Sequence, residues 1–206
     1  MAAYRQLAAF YQASGRLEET LETYERALEQ QPGEARLYYF VGVLYELGGR
    51  VDDAIAKYER AVELDPDLGE AKNNLAYLLA EAGVDLDRAL SLAQEAKALM
   101  PRSGNAADTL GWVLYKNSRP SAAVGYLKEA VATIDPNSSN LGVVRHHLAK
   151  AYEASDQKQR AIETLEVALA DLERRLAAAR EAGRKPAEPP WSADVRKMLS
   201  RLKPAG

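Results

Sequence analysis

Residues 38–66 read YYFVGVLYELGGRVDDAIAKYERAVELDP, and they have the pattern of two short amphipathic helices. Apolar side chains recur every three to four residues on both sides of Gly48 and Gly49, which favours a helix on each side of a tight turn. Pro66 ends the second helix, because proline lacks the amide hydrogen that a continuing helix needs. The stretch therefore predicts one helix–turn–helix unit.

The same unit recurs along the chain. In each first helix a small residue follows an apolar one, at intervals of 34, 34, 35 and 38 residues: Ala8, Gly42, Ala76, Gly111 and Ala149. Near the start of each second helix a small residue recurs at intervals of 34, 35, 34 and 38: Thr20, Ala54, Ala89, Ala123 and Ala161. Prolines close four of the units: Pro32, Pro66, Pro101 and Pro136. Three markers with one period predict about five helix pairs that bury their apolar faces by stacking.

These motifs resemble those of the tetratricopeptide repeat (TPR) family. That family combines an aromatic residue, Leu-Gly and Tyr in the first helix with Ala-x3-Phe and a Pro in the second. The second unit here reads Tyr38-x2-Val41-Gly42-x2-Tyr45, then Ala54-x3-Tyr58 and Pro66. The resemblance covers roughly residues 2–172. It implies an all-α fold, a right-handed TPR superhelix of about five helix–turn–helix repeats with a C-terminal capping helix.

The repeat pattern predicts a TPR array over residues 1–183, with repeats at about 2–34, 35–68, 69–103, 104–138 and 142–183. A proline-rich linker follows at 184–190, and the capping helix occupies 191–206. Ser192 is the expected N-cap of this last helix. Its apolar stripe should cover the open end of the array, and a docking site for another protein is the alternative. The stripe consists of Val195, Met198, Leu199 and Leu202.

The composition argues against catalysis and against several classes of partner. The chain has no cysteine. Its two histidines, His146 and His147, are adjacent, so on a helix they point about 100° apart and cannot easily bind the same metal ion. No metal, cofactor or enzyme activity is therefore expected. A formal net charge of −3 offers no strong attraction for nucleic acid. No apolar run approaches the ~20 residues of a membrane-spanning helix, so no membrane insertion is expected.

The family resemblance implies that the first helices line a concave groove that binds a peptide or protein segment. Helical periodicity selects the face opposite the small residues, and aromatic residues there are expected to be surplus to packing. The predicted groove residues are Arg5, Tyr39, Asn73, Tyr77, Asp108, Trp112, Tyr115, His146 and Lys150. The alternative is that Trp112 and Tyr115 only pack against the adjacent helix pair.

The function expected from this pattern is a protein–protein interaction scaffold. The alternative is a self-associating spacer or assembly factor that stacks through the uncapped helix at Ala2–Ala13. The sequence looks like bacterial TPR proteins, some of which serve in envelope assembly or polysaccharide secretion. Because no capping residue precedes the first helix, we expect a segment of a longer protein. The default compartment is then the cytoplasm, or the periplasm if that longer protein is exported.

Overall fold

The computed structural model describes residue 11 and residues 14–203. Within these residues the secondary structure consists of ten α-helices and no strand. The chain divides into two compact units, Met1–Pro101 and Arg102–Gly206. Arg5 and the proposed stacking helix at Ala2–Ala13 fall almost entirely outside the described residues, so both expectations stay predictions.

The first unit contains five described helices, each packed against the next one along the chain. They are α1 (Leu17–Gln30), α2 (Ala35–Leu47), α3 (Val51–Leu64), α4 (Gly69–Ala82) and α5 (Leu86–Leu99). The fully buried Leu44, Tyr58 and Leu75 fill the space between α2, α3 and α4. The apolar residues that carry the sequence period are therefore those that form the core.

The second unit also contains five helices, and each again packs against its successor. They are α6 (Gly104–Lys116), α7 (Pro120–Thr133), α8 (Leu141–Ala154), α9 (Lys158–Glu181) and α10 (Trp191–Leu202). In addition, α8 contacts both α6 and α10. This places α8 at the centre of the unit, with partners on several sides.

Two helices of a pair approach closely where the first one carries a glycine. A Cβ atom added to Gly111 on α6 would lie 2.6 Å from Cγ of Leu127 on α7. A Cβ atom added to Gly42 on α2 would lie 2.6 Å from the ring of Tyr58 on α3. Carbon atoms in van der Waals contact need about 3.5–4.0 Å, so no larger side chain fits at either crossing without displacing its neighbour.

The turn inside each helix pair repeats one left-handed backbone conformation. Gly49 and Gly83 have φ values of 73° and 68°, which glycine adopts without steric cost. Ser118 and Asp156 occupy the same place in the later pairs with φ values of 56° and 59°. The turn geometry is thus kept in the second unit, although the glycine signal that marks it in the sequence is lost.

The third repeat places a lysine where the pattern expects an aromatic residue, and the structure shows what replaces the ring. Lys72 on α4 is buried, with its ammonium group hydrogen-bonded to Glu95 on α5. The Lys72 ammonium group in turn holds the pKa of the Glu95 carboxyl below its usual value. Lys72 therefore forms an ion pair between the two helices at the position that the aromatic Tyr38 occupies in the second repeat.

The last helix packs against α8 and α9 and buries Val195, Met198 and Leu202. The expectation that Ser192 caps this helix is wrong. The helix begins at Trp191, and the buried Ser192 lies in its first turn, where its hydroxyl donates a hydrogen bond to Glu188 at 3.0 Å. The Trp191 ring lies directly over Gly142 of α8, where an added Cβ atom would lie 2.1 Å from the ring.

Replacing Gly111 by alanine should destabilise the protein by about 1–2 kcal/mol, because the new methyl group overlaps Leu127 at the crossing of α6 and α7. The matched control is Gly125→Ala on α7, where nothing lies within 4 Å of an added Cβ atom. The control should stabilise the protein by about 0.5–1 kcal/mol, since alanine is the better helix former. Urea unfolding followed by circular dichroism measures both, and equal effects would contradict the close crossing.

Candidate functional site

In the first unit, one predicted groove residue, Asn73, belongs to a buried chain of hydrogen bonds. Asn73 donates to Asn74 at 3.4 Å, and Asn74 donates to the Tyr58 hydroxyl at 3.0 Å. The Tyr58 hydroxyl donates in turn to Glu46 at 2.7 Å. Asn73 is only 6% exposed, so it lies inside the unit as part of the link between α4, α3 and α2.

Tyr39 is likewise a core residue rather than a surface aromatic. Its side chain is 2% exposed, and its ring centroid lies 5.9 Å from that of Tyr58. The expectation that the aromatic residues of this face are surplus to packing is therefore wrong for Tyr39, because α3 covers its ring. Tyr77 remains partly exposed, so of the three predicted site residues that the structure describes in this unit it is the one that a partner can reach.

In the second unit, Trp112 of α6 is the centre of a stack of rings. Its centroid lies 4.0 Å from the ring of His147 on α8 and 5.0 Å from the ring of Tyr115, with interplanar angles of 18° and 17°. Trp112 itself is 5% exposed. Trp112 therefore packs against α8 of the adjacent helix pair, whereas Tyr115 is partly exposed.

Polar groups fix the ring stack in place. Nδ1 of His147 lies 2.9 Å from Oδ1 of Asp108 on α6, with Nδ1 as the donor, since an ionised carboxylate only accepts. The His147 side chain is 6% exposed and that of Asp108 is 14% exposed. This hydrogen bond, which is shielded from solvent, holds the imidazole ring of His147 flat against Trp112.

Two ammonium groups lie against the same tryptophan. Nζ of Lys116 is 5.4 Å from the Trp112 centroid, and Nζ of Lys150 is 5.5 Å from it. At these distances each cation is attracted to the ring's electron-rich face. We call the surface formed by Asp108, Tyr115, Lys116 and Lys150 around the Trp112 ring the Trp112 face.

An open cavity of about 450 Å³ adjoins the Trp112 face. Its lining residues come from the ends of α6 and α8 and from the start of α7: Tyr115, Lys116, Ser118, Pro120 and Ala154. Burial raises the pKa of the Tyr115 hydroxyl, and the negative charge of Glu153 adds to the effect. The hydroxyl therefore keeps its proton and can donate a hydrogen bond to a ligand in this cavity.

Besides Asp108, a second acidic residue, Glu153, lies three residues after Lys150, and a residue of another helix compensates its charge. Arg201 of α10 donates to both carboxylate oxygens of Glu153, at 2.5 and 2.8 Å. Such a two-bond pairing holds the carboxylate in a fixed orientation. Among its own residues, the Trp112 face thus carries the two ammonium groups of Lys116 and Lys150 and the one carboxylate of Asp108.

His146 points away from this arrangement. It is 6% exposed, and burial lowers its pKa to about 4. The nearby Lys150 and His147 act on this pKa in the same direction, and the negative charge of Asp194 on α10 opposes them. No contact among the described residues joins the ring of His146 to that of Trp112, so its predicted place in the groove is not supported by the geometry.

The structure brings together four of the predicted site residues, Asp108, Trp112, Tyr115 and Lys150. Sequence reasoning missed His147 and Lys116. The spacing signal for His147 was present, because it lies three residues before Lys150 and hence on the same face of α8. Within the described part of the chain, no group of three or more His, Asp or Glu side chains could hold a metal ion. None of the described helices is long and apolar enough to cross a membrane.

The comparisons with known proteins agree with the repeat pattern. The tetratricopeptide repeat family model matches residues 1–67. TTC0263, a thermophilic TPR protein of Thermus thermophilus, is 20% identical over 98% of this chain and 97% of its own, with a TM-score of 0.65. MamA of Desulfovibrio magneticus RS-1 is 19% identical over 84% of this chain and 95% of its own, also at 0.65.

A larger structure is similar as well. A chain in the Cut9–Hcn1 hetero-tetramer of the APC/C is 19% identical over 98% of this chain, with a TM-score of 0.74, and the match spans 36% of that chain. No curated protein sequence matches. At these identities the likeness concerns the fold, and the expected all-α, solenoid-like TPR fold is confirmed.

Because His146 is buried in its neutral form, we expect the folded protein to lose stability in acid. Its pKa of about 4 in the folded protein lies below the ordinary 6.5, so the unfolded chain binds the proton more tightly. As the pH falls from about 6.5 to about 4.5, this group should remove about 2–3 kcal/mol of stability. The measurement is urea unfolding of the wild type and of His146→Gln at pH 7 and at pH 4.5. The variant should lose less stability on acidification, and identical losses would refute a neutral buried imidazole.

Proposed function

We propose that this chain, which has the fold of tetratricopeptide repeat proteins, is an interaction scaffold whose Trp112 face binds an extended acidic segment of a partner protein. The scaffold role follows from the fold, since TPR proteins bind protein partners. The place and the chemistry of binding are inferred from the arrangement on α6 and α8.

The observation that carries the proposal is the pair of ammonium groups held over one buried aromatic stack. Lys116 and Lys150 lie at almost equal distances from the Trp112 centroid, 5.4 and 5.5 Å, and they come from different helices. Because the ring is rigid and covered by His147, the two cations are confined before any ligand arrives. Such preorganisation lowers the entropy cost of binding a carboxylate.

The rest of the face supports an extended ligand with an apolar or aromatic side chain. Tyr115 is partly exposed and forms a wall of the adjoining cavity of about 450 Å³. A cavity of this size accepts one large side chain, while the flanking ammonium groups attract acidic residues on either side of it. Tyrosine and tryptophan at a partly covered centre are typical anchors of protein interfaces.

The predicted residues of the first unit fit this function in a secondary role. Tyr77 is the one we expect to touch a ligand, because its side chain is partly exposed. Tyr39 and Asn73 are buried, so we assign them a structural role within α2 and α4 rather than contact with a partner. Arg5 and His146 remain predicted groove residues without supporting geometry.

Reversal of one charge on the Trp112 face should abolish most binding of acidic peptides. The experiment selects peptides against the wild type from a random displayed library and measures the affinity of the enriched sequence by fluorescence anisotropy. We expect enrichment of Asp and Glu around one aromatic residue. Lys150→Glu should weaken binding by about tenfold or more, because an attractive charge becomes repulsive at short range.

The matched control is Lys128→Glu on α7, an exposed lysine with the same change in charge. It should bind with wild-type affinity. Light scattering on the free protein tests the self-associating alternative in parallel, since a monomer is expected for a groove binder. Selection of peptides without acidic residues, or an equal loss in the control variant, would contradict the proposal.

A further inference from the structure

A second cavity lies in the second unit, on another side of α8. It has a volume of about 250 Å³ and is bounded by α8, by α9 and by the proline-rich segment that leads into α10. Arg145 of α8 lines it, whereas His147, which stacks on Trp112, is two residues further on and so points about 200° away around the helix. The two sites share no lining residue.

The walls of this cavity are mainly apolar. Trp191 crosses over Gly142, and the absence of a side chain at Gly142 is what lets the indole ring lie so low. Leu172 and Leu176 of α9 form the opposite wall, and both are 7% exposed. Binding sites for small molecules commonly combine such apolar walls with a few polar groups that fix the ligand's orientation.

The polar residues that line the cavity are Ser139, Asp171, Arg175 and Arg145, and the guanidinium of Arg145 is the most important for a ligand. Its side chain is 15% exposed, and burial lowers its pKa. Among the residues that the structure describes, its hydrogen-bond partner is Asp171 of α9 alone. A guanidinium has five N–H donors, so most of the donor capacity of this buried cation is not used by the protein.

The charges around the cavity favour an anion. Asp171 is already shared between Arg145 and the exposed Arg174. Arg175 lines the cavity as well and donates to the backbone carbonyl groups of Ser138 and Pro136, at 2.8 and 2.7 Å. The cavity lining thus carries the guanidinium groups of Arg145 and Arg175 and the carboxylate of Asp171, so the carboxylate of a ligand would balance the remaining positive charge.

We propose that this cavity binds a small carboxylic acid with an apolar body. The carboxylate accepts hydrogen bonds from Arg145, and the apolar body lies between Trp191 and the leucines of α9. A volume of about 250 Å³ suits an acid with one ring or a short alkyl chain. Occupancy ties α8, α9 and the segment before α10 together, which makes the ligand a stabiliser of the C-terminal helix.

The probe for the test is 3-phenylpropionate, and its neutral counterpart is 3-phenylpropanamide. The chain has two tryptophans, so two-dimensional ¹H–¹⁵N NMR gives one indole signal for each, and Trp191→Phe assigns them. Titration with the acid should shift the Trp191 signal and leave the Trp112 signal in place. The amide should bind at least about tenfold more weakly, because it cannot form a charge-assisted bond to Arg145.

The substitution Arg145→Gln should weaken binding of 3-phenylpropionate by about tenfold or more. The matched control is Arg174→Gln, which also removes a partner of Asp171 but alters a side chain that is 78% exposed. The control should bind as the wild type does. If Arg145→Gln does not fold, the comparison of acid with amide on the wild type decides.

Three results would overturn the proposal. The first is equal binding of acid and amide, and the second is an equal loss in Arg145→Gln and Arg174→Gln. The third is tighter binding of acetyl-glycyl-phenylalanine than of 3-phenylpropionate, which would assign the cavity to the terminus of a polypeptide instead of a free acid.

Discussion

The distance between paired helices at their crossing is the constraint on which the other features of each unit depend. At Gly42 and Gly111 an added Cβ atom would lie 2.6 Å from the neighbouring helix, so the two backbones are as close as side chains allow. Close approach lets Tyr58 and Leu127 fill the core completely, and both are 0% exposed. The packing of each helix pair therefore determines which residues of its first helix remain exposed on the surface.

The buried polar groups show how the units use that fixed packing. In the first unit, one chain of hydrogen bonds from Asn73 through Tyr58 to Glu46 links three helices. In the second, the Asp108–His147 bond links α6 and α8. Buried polar groups are costly unless they are paired, so each chain specifies one arrangement of its helices. As a consequence for function, Lys116 and Lys150 lie against a Trp112 ring that the packing holds rigidly in place.

The second unit differs from the first by adding a C-terminal structure to its last helix pair. The long helix α9 extends past the point where the earlier second helices end, and α10 returns against it and against α8. This arrangement buries Val195 at 0% exposure and encloses the cavity beside Arg145. The two faces of α8 thereby acquire different chemistry, with lysine and aromatic groups on one and arginine groups with apolar walls on the other.

The sequence by itself determined the helix pairs, their period and the identity of the small residues at the crossings, because these depend on local spacing that repeats. It also placed Asp108, Trp112, Tyr115 and Lys150 on helix surfaces that the structure brings together. Only the tertiary structure decided that Tyr39 and Asn73 are covered, that His147 rather than His146 meets Trp112, and that Ser192 lies inside α10. The Asn74–Tyr58 and His147–Asp108 hydrogen bonds join residues 16 and 39 positions apart that meet only when the helices pack, and the periodicity of one helix carries no information about such pairs.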